Sequence, residues 1–217
     1  MLLSMMLVFF MHTGFSMLEC GTVRFKNTQN ILTKNLFVVC AGFLCWYVFG
    51  FALAFGHVED PNKFSGGTGF FMEGLWQDKS KFRFWLFQGA FCATGATIVS
   101  GAMAERTQLK GFALYTILMT SFIYPIVVYW CWSGSGALYY TDGDESKSVV
   151  GPAFMDFAGS GLVHLTGGVG ALCGAVIVGP RNGHWDESKA NDFDGHSVPF
   201  CVLGTFFLWF GWYGFNP

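Results

Sequence analysis

Long apolar stretches alternate with short polar connections along the whole chain. Each complete stretch is close to the roughly 20 residues that an α-helix needs to cross about 30 Å of hydrocarbon. Backbone polar groups in lipid must be satisfied within their own segment, which favours helices over strands. The pattern therefore predicts an all-α protein, a polytopic membrane helix bundle with one transmembrane domain over residues 1–217. The predicted spans are residues 1–23, 31–55, 82–104, 112–132, 154–178 and 198–217, with approximate boundaries.

The first span has a competing interpretation, because an apolar N-terminus is also typical of a secretory signal peptide. A signal peptide begins with a basic region and ends at a small-residue cleavage site. Neither feature precedes Glu19, so we interpret residues 1–23 as a membrane helix. The chain enters this apolar stretch at once, and Met1 need not be the natural start. Pro125 interrupts the fourth span and is expected to kink it.

Composition supports lipid as the surrounding solvent. Charged residues make up 12% of the chain, about half of the roughly 25% found in soluble domains. The net charge of −2 argues against a nucleic-acid partner. The seven cysteines include no C-x-x-C pair, so they indicate neither a zinc site nor a disulfide framework. We expect no metal and no other cofactor.

Charges in the connections predict the orientation, because cytoplasmic connections carry an excess of Lys and Arg. The first and third connections are basic and the fourth is acidic, which places the first and third inside and the N-terminus outside. The fifth connection then lies inside by alternation, although it carries four acids. The residues that decide the orientation are Arg24, Lys26 and Lys34, then Arg106 and Lys110, and finally Asp142, Asp144 and Glu145.

The fifth span holds an acid and a histidine within an apolar, glycine-rich stretch. His164 follows Asp156 by eight residues, about 12 Å at 1.5 Å per residue, which approaches the bilayer midplane. A charge at that depth costs about 2.5–3.5 kcal/mol, so such residues usually face a cavity, a pore or a partner. The residues at helical spacing from His164 are small and leave room beside the imidazole. They are Gly161, Gly168, Ala171 and Ala175.

We therefore interpret the fifth span as the lining of a transport path. Two structural alternatives stay open at this point. His164 would be a structural histidine if its ring bonds a neighbouring backbone carbonyl. Asp156 at the first turn of a helix would cap free N–H groups, and we favour that role over direct ligand contact.

Two aromatic residues form a candidate cation site. Trp132 ends the fourth span, and Phe91 lies part-way along the third. An aromatic face attracts a desolvating cation by about 0.5–2 kcal/mol. The pattern alone favours an interfacial role for Trp132, and Phe91 is one of 26 phenylalanines, so it singles out neither residue.

Several stretches, in order along essentially the whole chain, resemble the ammonium transporter family, which also includes the more distant Rh glycoproteins. The most specific is DFAGSGLVHLTGGVG at residues 156–170, continuing to Arg181. The others are GFSMLE (14–19), VRFKN (23–27), SGAMAERT (100–107), residues 124–133, and LWFGWYGFNP (208–217).

The resemblance implies an eleven-helix protomer, made of two inverted five-helix repeats and a final helix. This chain corresponds to the first repeat and the start of the sixth helix. The resemblance also implies a homotrimer in a lipid bilayer with one pore per subunit, most readily in the plasma membrane. The substrate would be NH4+ or NH3, and the protein would be a transporter rather than an enzyme.

The resemblance also implies roles for single residues. Trp132 falls on the external aromatic site for NH4+, with Phe91 at the phenylalanine gate beneath it. Phe215 matches the second gate phenylalanine, and Trp212 is a neighbour in the pore wall. His164 matches the first of two facing pore histidines. The family's acid near the recruitment site, which has an organising role, falls on Asp156.

The chain departs from the family pattern because it ends part-way through the sixth helix. The second repeat, the second pore histidine and part of the aromatic wall are missing, and one of the two inverted repeats cannot enclose the pore that lies between them. We expect a partial sequence, or a truncated product with no transport of its own.

Other functions stay open. An ammonium sensor would keep the same vestibule, while Trp132 favours the ammonium-transporter branch over an Rh-type channel. A membrane cytochrome would need His12 and His164 as haem ligands. A soluble dinucleotide enzyme is excluded, because residues 168–173 lack the third glycine and a polar α/β context.

Overall fold

Six long helices make up most of the computed structural model, which describes residues 1–58, 64–139 and 154–216. Among the described parts of the connections, short 3₁₀ helices occur at Phe70–Met72 and Glu187–Phe193. The described residues contain no β-strand beyond one isolated bridge between Tyr139 and Phe154. The long helices are α1 (Leu2–Thr22), α2 (Phe25–Phe55), α3 (Lys79–Ala102), α4 (Leu109–Trp132), α5 (Ser160–Val178) and α6 (Val198–Phe215).

Five of these helices are long and apolar enough to cross a membrane, namely all except α3. α3 is long enough, at 24 residues, but its composition is more polar. Every residue from 88 to 97 is buried, so this helix is surrounded by its neighbours and not by lipid. The prediction of an all-α membrane helix bundle is thus confirmed. α3 is its central helix.

The connections between successive helices lie alternately at the two ends of the bundle, as the sequence predicts. At one end, Glu105 of the third connection accepts hydrogen bonds from Arg24 and Asn27, between α1 and the start of α2, and from Arg181 in the fifth connection. At the other end, the Trp130 indole donates to the carbonyl of Phe64, which joins the end of α4 to the second connection. The acidic residues of the fourth connection, Asp142, Asp144 and Glu145, lie outside the described residues.

One charged residue is placed wrongly by the sequence pattern. Lys34 was assigned to the first connection, but α2 begins at Phe25 and Lys34 lies within the helix, with only 1% of its surface exposed. Its ammonium group donates to the carbonyl of Thr107 at 2.7 Å. Lys26 also lies within α2, in its first turn, so the prediction that this end is cytoplasmic depends on Arg24, on Lys26 at the end of the helix and on the third connection.

The Glu105 cluster consists of Arg24, Asn27, Glu105 and Arg181. The Glu105 side chain is only 2% exposed, and it accepts from Asn27 and Arg181 at 2.7 Å and from the backbone N–H of Arg24 at 2.9 Å. Both guanidinium groups also lie over the ring of Phe193, at 5.2 and 4.7 Å from its centroid. Burial raises the pKa of Glu105, but these hydrogen bonds outweigh it and lower the pKa to about 2.

Glycines allow α1 and α6 to pack closely along their length. A Cβ atom on Gly204 would lie 2.4 Å from the Leu18 nitrogen and 2.7 Å from the Gly14 carbonyl oxygen. Gly14 and Gly21 of α1 face α6 in the same way. Small residues at a membrane helix interface let the backbones approach and gain van der Waals contact.

Widened π turns interrupt α2 and α4 part-way along their length. One covers Trp46–Gly50 in α2, and the other covers Met119–Ile123 in α4 and ends two residues before Pro125. Proline lacks an N–H donor, so the helical ladder must change locally at this point. The two turns lie against each other, because a Cβ atom on Gly50 would be 2.9 Å from the carbonyl oxygen of Thr120. The helical geometry therefore changes close to Pro125, where a kink is predicted.

The close α1–α6 contact predicts a large difference between two glycine-to-alanine substitutions. Gly204→Ala should destabilise the protein by about 1–3 kcal/mol, because the new methyl group overlaps the α1 backbone. Gly168→Ala is the matched control, since nothing lies within 4 Å of a Cβ atom on Gly168. The control should change stability by about 1 kcal/mol or less. Unfolding in detergent micelles measures both, and equal effects would contradict the packing argument.

The Glu105 cluster predicts a specific pH dependence. Because the folded pKa of about 2 lies below the ordinary value of 4.5, ionised Glu105 stabilises the fold at pH values above 4.5. This stabilisation should disappear as the pH falls from 4.5 towards 2. Unfolding curves of wild type and Glu105→Gln should therefore differ at neutral pH and converge in acid. A constant difference across this range would be the opposite result.

Candidate functional site

The start of α5 is built around the Asp156 carboxylate. One oxygen accepts from the N–H of Gly159 at 2.7 Å, and the other accepts from Gly161 at 3.0 Å and Leu162 at 2.7 Å. The residue is 6% exposed. The predicted capping role is confirmed by these bonds, because they satisfy N–H groups that have no partner within the helix.

The predicted start of this helix is wrong by six residues, since α5 begins at Ser160 and not at 154. Gly159 has φ +91°, a left-handed conformation that non-glycine residues rarely adopt. This turn and the bonds to Asp156 prevent helical hydrogen bonding before Ser160. His164 is therefore the fifth residue of the helix, within a π turn at Ser160–Leu165. The predicted spacing of about 12 Å between Asp156 and His164 assumed one continuous helix, and it therefore does not apply.

Trp132 and His164 both bond the turn that Asp156 holds. The Trp132 indole N–H donates to the Asp156 carbonyl at 2.6 Å. The His164 Nδ1 atom lies 3.3 Å from the Gly159 carbonyl oxygen. A carbonyl accepts only, so this contact assigns the ring proton to Nδ1 and the lone pair to Nε2. The orientation of both side chains thus depends on residues 156–159.

Five rings form a continuous series of contacts, which we call the ring column: Trp132, Phe91, Phe215, His164 and Trp212. Ring centroids are 6.0 Å apart for Trp132 and Phe91, and 4.4 Å apart for Phe91 and Phe215. The distances from His164 are 5.3 Å to Phe215 and 6.3 Å to Trp212. Residues from α3, α4, α5 and α6 are brought together here. The column includes every candidate pore residue named from the sequence.

The surroundings of His164 fit both interpretations of this residue. Its bond to the Gly159 carbonyl is the contact expected of a structural histidine. Its ring also faces two aromatic residues of the column and is only half-buried. The two roles are compatible, because a bond through Nδ1 leaves Nε2 available.

The predicted face of small residues is only partly open. A Cβ atom on Gly168 would meet nothing within 4 Å, in agreement with free space. At Gly161, however, a Cβ atom would lie 2.5 Å from the Phe154 ring. The expectation that Gly161 leaves room beside the imidazole is wrong, because Phe154 fills that space.

Sequence reasoning missed two residues of this site. Gly159 provides both the left-handed turn and the carbonyl that His164 contacts. A glycine just before a helical stretch and three residues after an acid is a signal that could have identified it. Nothing in the sequence indicated that Phe154 would fold back onto Gly161.

The two candidate haem ligands lie in different surroundings, since His12 contacts Thr97 and His164 contacts the ring column. Within residues 1–58, 64–139 and 154–216, no group of three His, Cys, Asp or Glu side chains is placed to hold a metal ion.

The fold and the ring column define a multi-pass membrane protein with an aromatic- and histidine-lined site between its helices. The sequence profile of the "Ammonium Transporter Family" matches residues 1–217, and the chain belongs to this family. The family is one of membrane transporters and not of enzymes.

Curated relatives agree with this assignment. The chain is 41% identical to "Ammonium transporter 1 member 3" of Solanum lycopersicum, in an alignment that covers 100% of this chain and 46% of the relative. It is also 41% identical to "Ammonium transporter Amt2" of Archaeoglobus fulgidus, covering 97% of this chain and 44% of that protein. The chain thus spans less than half the length of these relatives.

Solved structures show the same arrangement of helices. A protein described as "Sensor Amt Protein" aligns with a TM-score of 0.83 at 34% identity, covering 99% of this chain and 52% of that one. Mep2 of Candida albicans aligns with a TM-score of 0.80 at 30% identity, covering 99% and 46%.

The buried cap at Asp156 predicts a larger effect than an exposed cap. Asp156→Ala should cost about 1–3 kcal/mol for each buried donor left unpaired. Asp78 provides the control, since its exposed carboxylate caps α3 through the N–H groups of Ser80 and Lys81. Asp78→Ala should cost about 0.5–2 kcal/mol. Denaturant unfolding measures the loss of stability in each variant. A smaller loss for Asp156→Ala than for Asp78→Ala would contradict the structural role of the Asp156 cap.

Proposed function

We propose that the protein carrying this chain transports ammonium across a membrane, recruiting NH4+ at Trp132 and Phe91 and conducting it past His164. Membership of a transporter family and two relatives named as ammonium transporters support the substrate class. The single observation that carries the proposal is the ring column. It connects the candidate cation site at Trp132 to the candidate proton acceptor at His164.

The chemistry of the column follows from desolvation. A bare NH4+ ion loses its hydration shell on entering an apolar path, at a large electrostatic cost. The faces of Trp132 and Phe91 offset only part of that cost. Phe91 is 2% exposed and packs directly on Phe215, so a hydrated ion has no room between these rings.

Loss of a proton removes most of this cost, because neutral NH3 is far less strongly hydrated. The Nε2 lone pair of His164 is the polar acceptor within the column. Transfer of a proton from NH4+ to this nitrogen forms NH3 and an imidazolium. The imidazolium must then pass its proton on, and a second histidine in the remainder of the protein is the proposed partner.

The proposal also covers the rest of the protein, its oligomeric state and its location. We place the second half of the pore wall in sequence that this chain does not contain, since it spans less than half the length of its curated relatives. A homotrimer with one pore per subunit and a plasma-membrane location are further parts of the proposal.

A second candidate function is ammonium sensing. The observation that favours it is the 34% identity to a protein described as "Sensor Amt Protein". A sensor would bind NH4+ at the Trp132 end of the column and signal occupancy, with little or no flux. A transport assay separates the two functions.

The experiment is ammonium-driven current in proteoliposomes that contain the complete protein. Trp132→Leu should raise the ammonium KM about 2- to 30-fold, the equivalent of a lost cation–π interaction of about 0.5–2 kcal/mol. Trp185→Leu is the matched control, because Trp185 is exposed and contacts His184 far from the column. His164→Glu should change the current or its selectivity for ammonium.

Two results would overturn the proposal. Unchanged KM in Trp132→Leu would remove the aromatic recruitment site. Wild-type currents in His164→Glu would remove the histidine from the path. Ammonium binding without any current in the wild-type protein would support the sensor instead.

A further inference from the structure

A second buried acid lies outside the ring column. Glu19 is in the last part of α1, with 6% of its surface exposed, between Asn35 of α2 and Ser100 of α3. Within the described residues, no Lys, Arg or His forms an ion pair with it. An ionised carboxylate buried without a cation is costly, particularly within a membrane-spanning helix.

The hydrogen bonds around Glu19 form a closed series when this acid carries a proton. The Asn35 amide donates to Glu19 Oε2 at 2.6 Å. The Ser100 hydroxyl contacts both Glu19 Oε1 and the carbonyl oxygen of Thr97, the latter at 2.8 Å. A serine has one hydrogen to donate. If that hydrogen goes to Thr97, the contact between Ser100 and Glu19 requires a proton on Oε1.

The nearest charged side chain is engaged elsewhere. Lys34 precedes Asn35 on α2, but its ammonium group donates to the Thr107 carbonyl at 2.7 Å and lies 5.4 Å from the centroid of the Phe112 ring. Among the groups on α2 and α3 that face Glu19, Lys34 is the charged one, and Asn35, Ser100 and the backbone N–H of Gly101 are neutral. Loss of the Glu19 proton would therefore draw the Lys34 ammonium group towards the carboxylate.

A cavity lies on the far side of Gly101 from this acid. Gly101 is exposed, and a Cβ atom on it would lie 3.4 Å from Glu19 Oε1. Gly101 also borders a cavity of about 430 Å³ whose lining includes Thr22, Glu105 and Arg181. Glycine has no side chain, so Gly101 adds only backbone between this cavity and the Glu19 carboxyl group.

We propose that Glu19 is a proton-binding site, separate from the ring column, that exchanges protons with the solution at the Glu105 end past Gly101. Uptake transfers a proton from hydronium in the cavity to Oε1, forming an O–H group that donates to Ser100. Release returns the proton to water and leaves a carboxylate opposite Lys34. The site stands on the geometry of α1, α2 and α3 and does not depend on ammonium transport.

Infrared spectroscopy of the complete protein in lipid tests this directly. Wild type at neutral pH should show a C=O stretching band of a protonated carboxyl group, and ¹³C-labelled glutamate should shift that band. Glu19→Gln should remove it. Ser100→Ala should keep the band but move it to higher frequency, because the carboxyl O–H loses its acceptor.

Glu105→Gln is the matched control, because Glu105 is held ionised by Arg24 and Arg181. It should leave the protonated-carboxyl band unchanged. Ser100→Ala keeps the test valid if Glu19→Gln does not fold. No glutamate-sensitive band in the wild type, or a band unaffected by Ser100→Ala, would overturn the proposal. A band that persists in folded Glu19→Gln would overturn it as well.

Discussion

The three hydrogen bonds accepted by the Asp156 carboxylate determine the geometry of the candidate site. They fix the turn at residues 156–159, and that turn provides the carbonyl groups that Trp132 and His164 contact. Backbone N–H groups at a buried helix start must be satisfied locally, and one carboxylate supplies enough acceptor positions to do so. Trp132 on α4 and His164 on α5 are thereby oriented by one short segment. The Asp156 side chain thus orients Trp132 and His164 indirectly, through the backbone carbonyl groups of the turn that it holds.

Three carboxyl groups show how the surroundings decide the behaviour of the same chemical group. Asp156 accepts backbone N–H donors, and Glu105 accepts two guanidinium groups and an amide. Glu19 faces an amide and a hydroxyl, with no cation in ion-pair contact among the residues described. The full positive charges around Glu105 support its ionised form. The groups in hydrogen-bond contact with Glu19 are neutral. This contrast underlies the proposal that Glu19 binds a proton.

α3 has a central position because it is surrounded by protein. Its buried segment carries polar residues that a lipid-facing helix would exclude, including Gln88, Thr94 and Thr97. It also supplies Phe91 to the ring column and Ser100 to the Glu19 site. The more polar composition of this helix follows from its position, since its side chains find partners inside the bundle.

The sequence by itself determined the class of fold, the approximate spans and the residues of the ring column. Apolar runs near 20 residues leave few choices to a chain in lipid, and the family resemblance named Phe91, Trp132, His164, Trp212 and Phe215. Only the tertiary structure decided where α5 begins, that Phe154 fills the space at Gly161, and that Lys34 is buried within α2. These features depend on contacts between residues distant in sequence or on a left-handed turn. Hydrophobic periodicity reports only which positions are apolar, and it carries no information about which neighbours they meet.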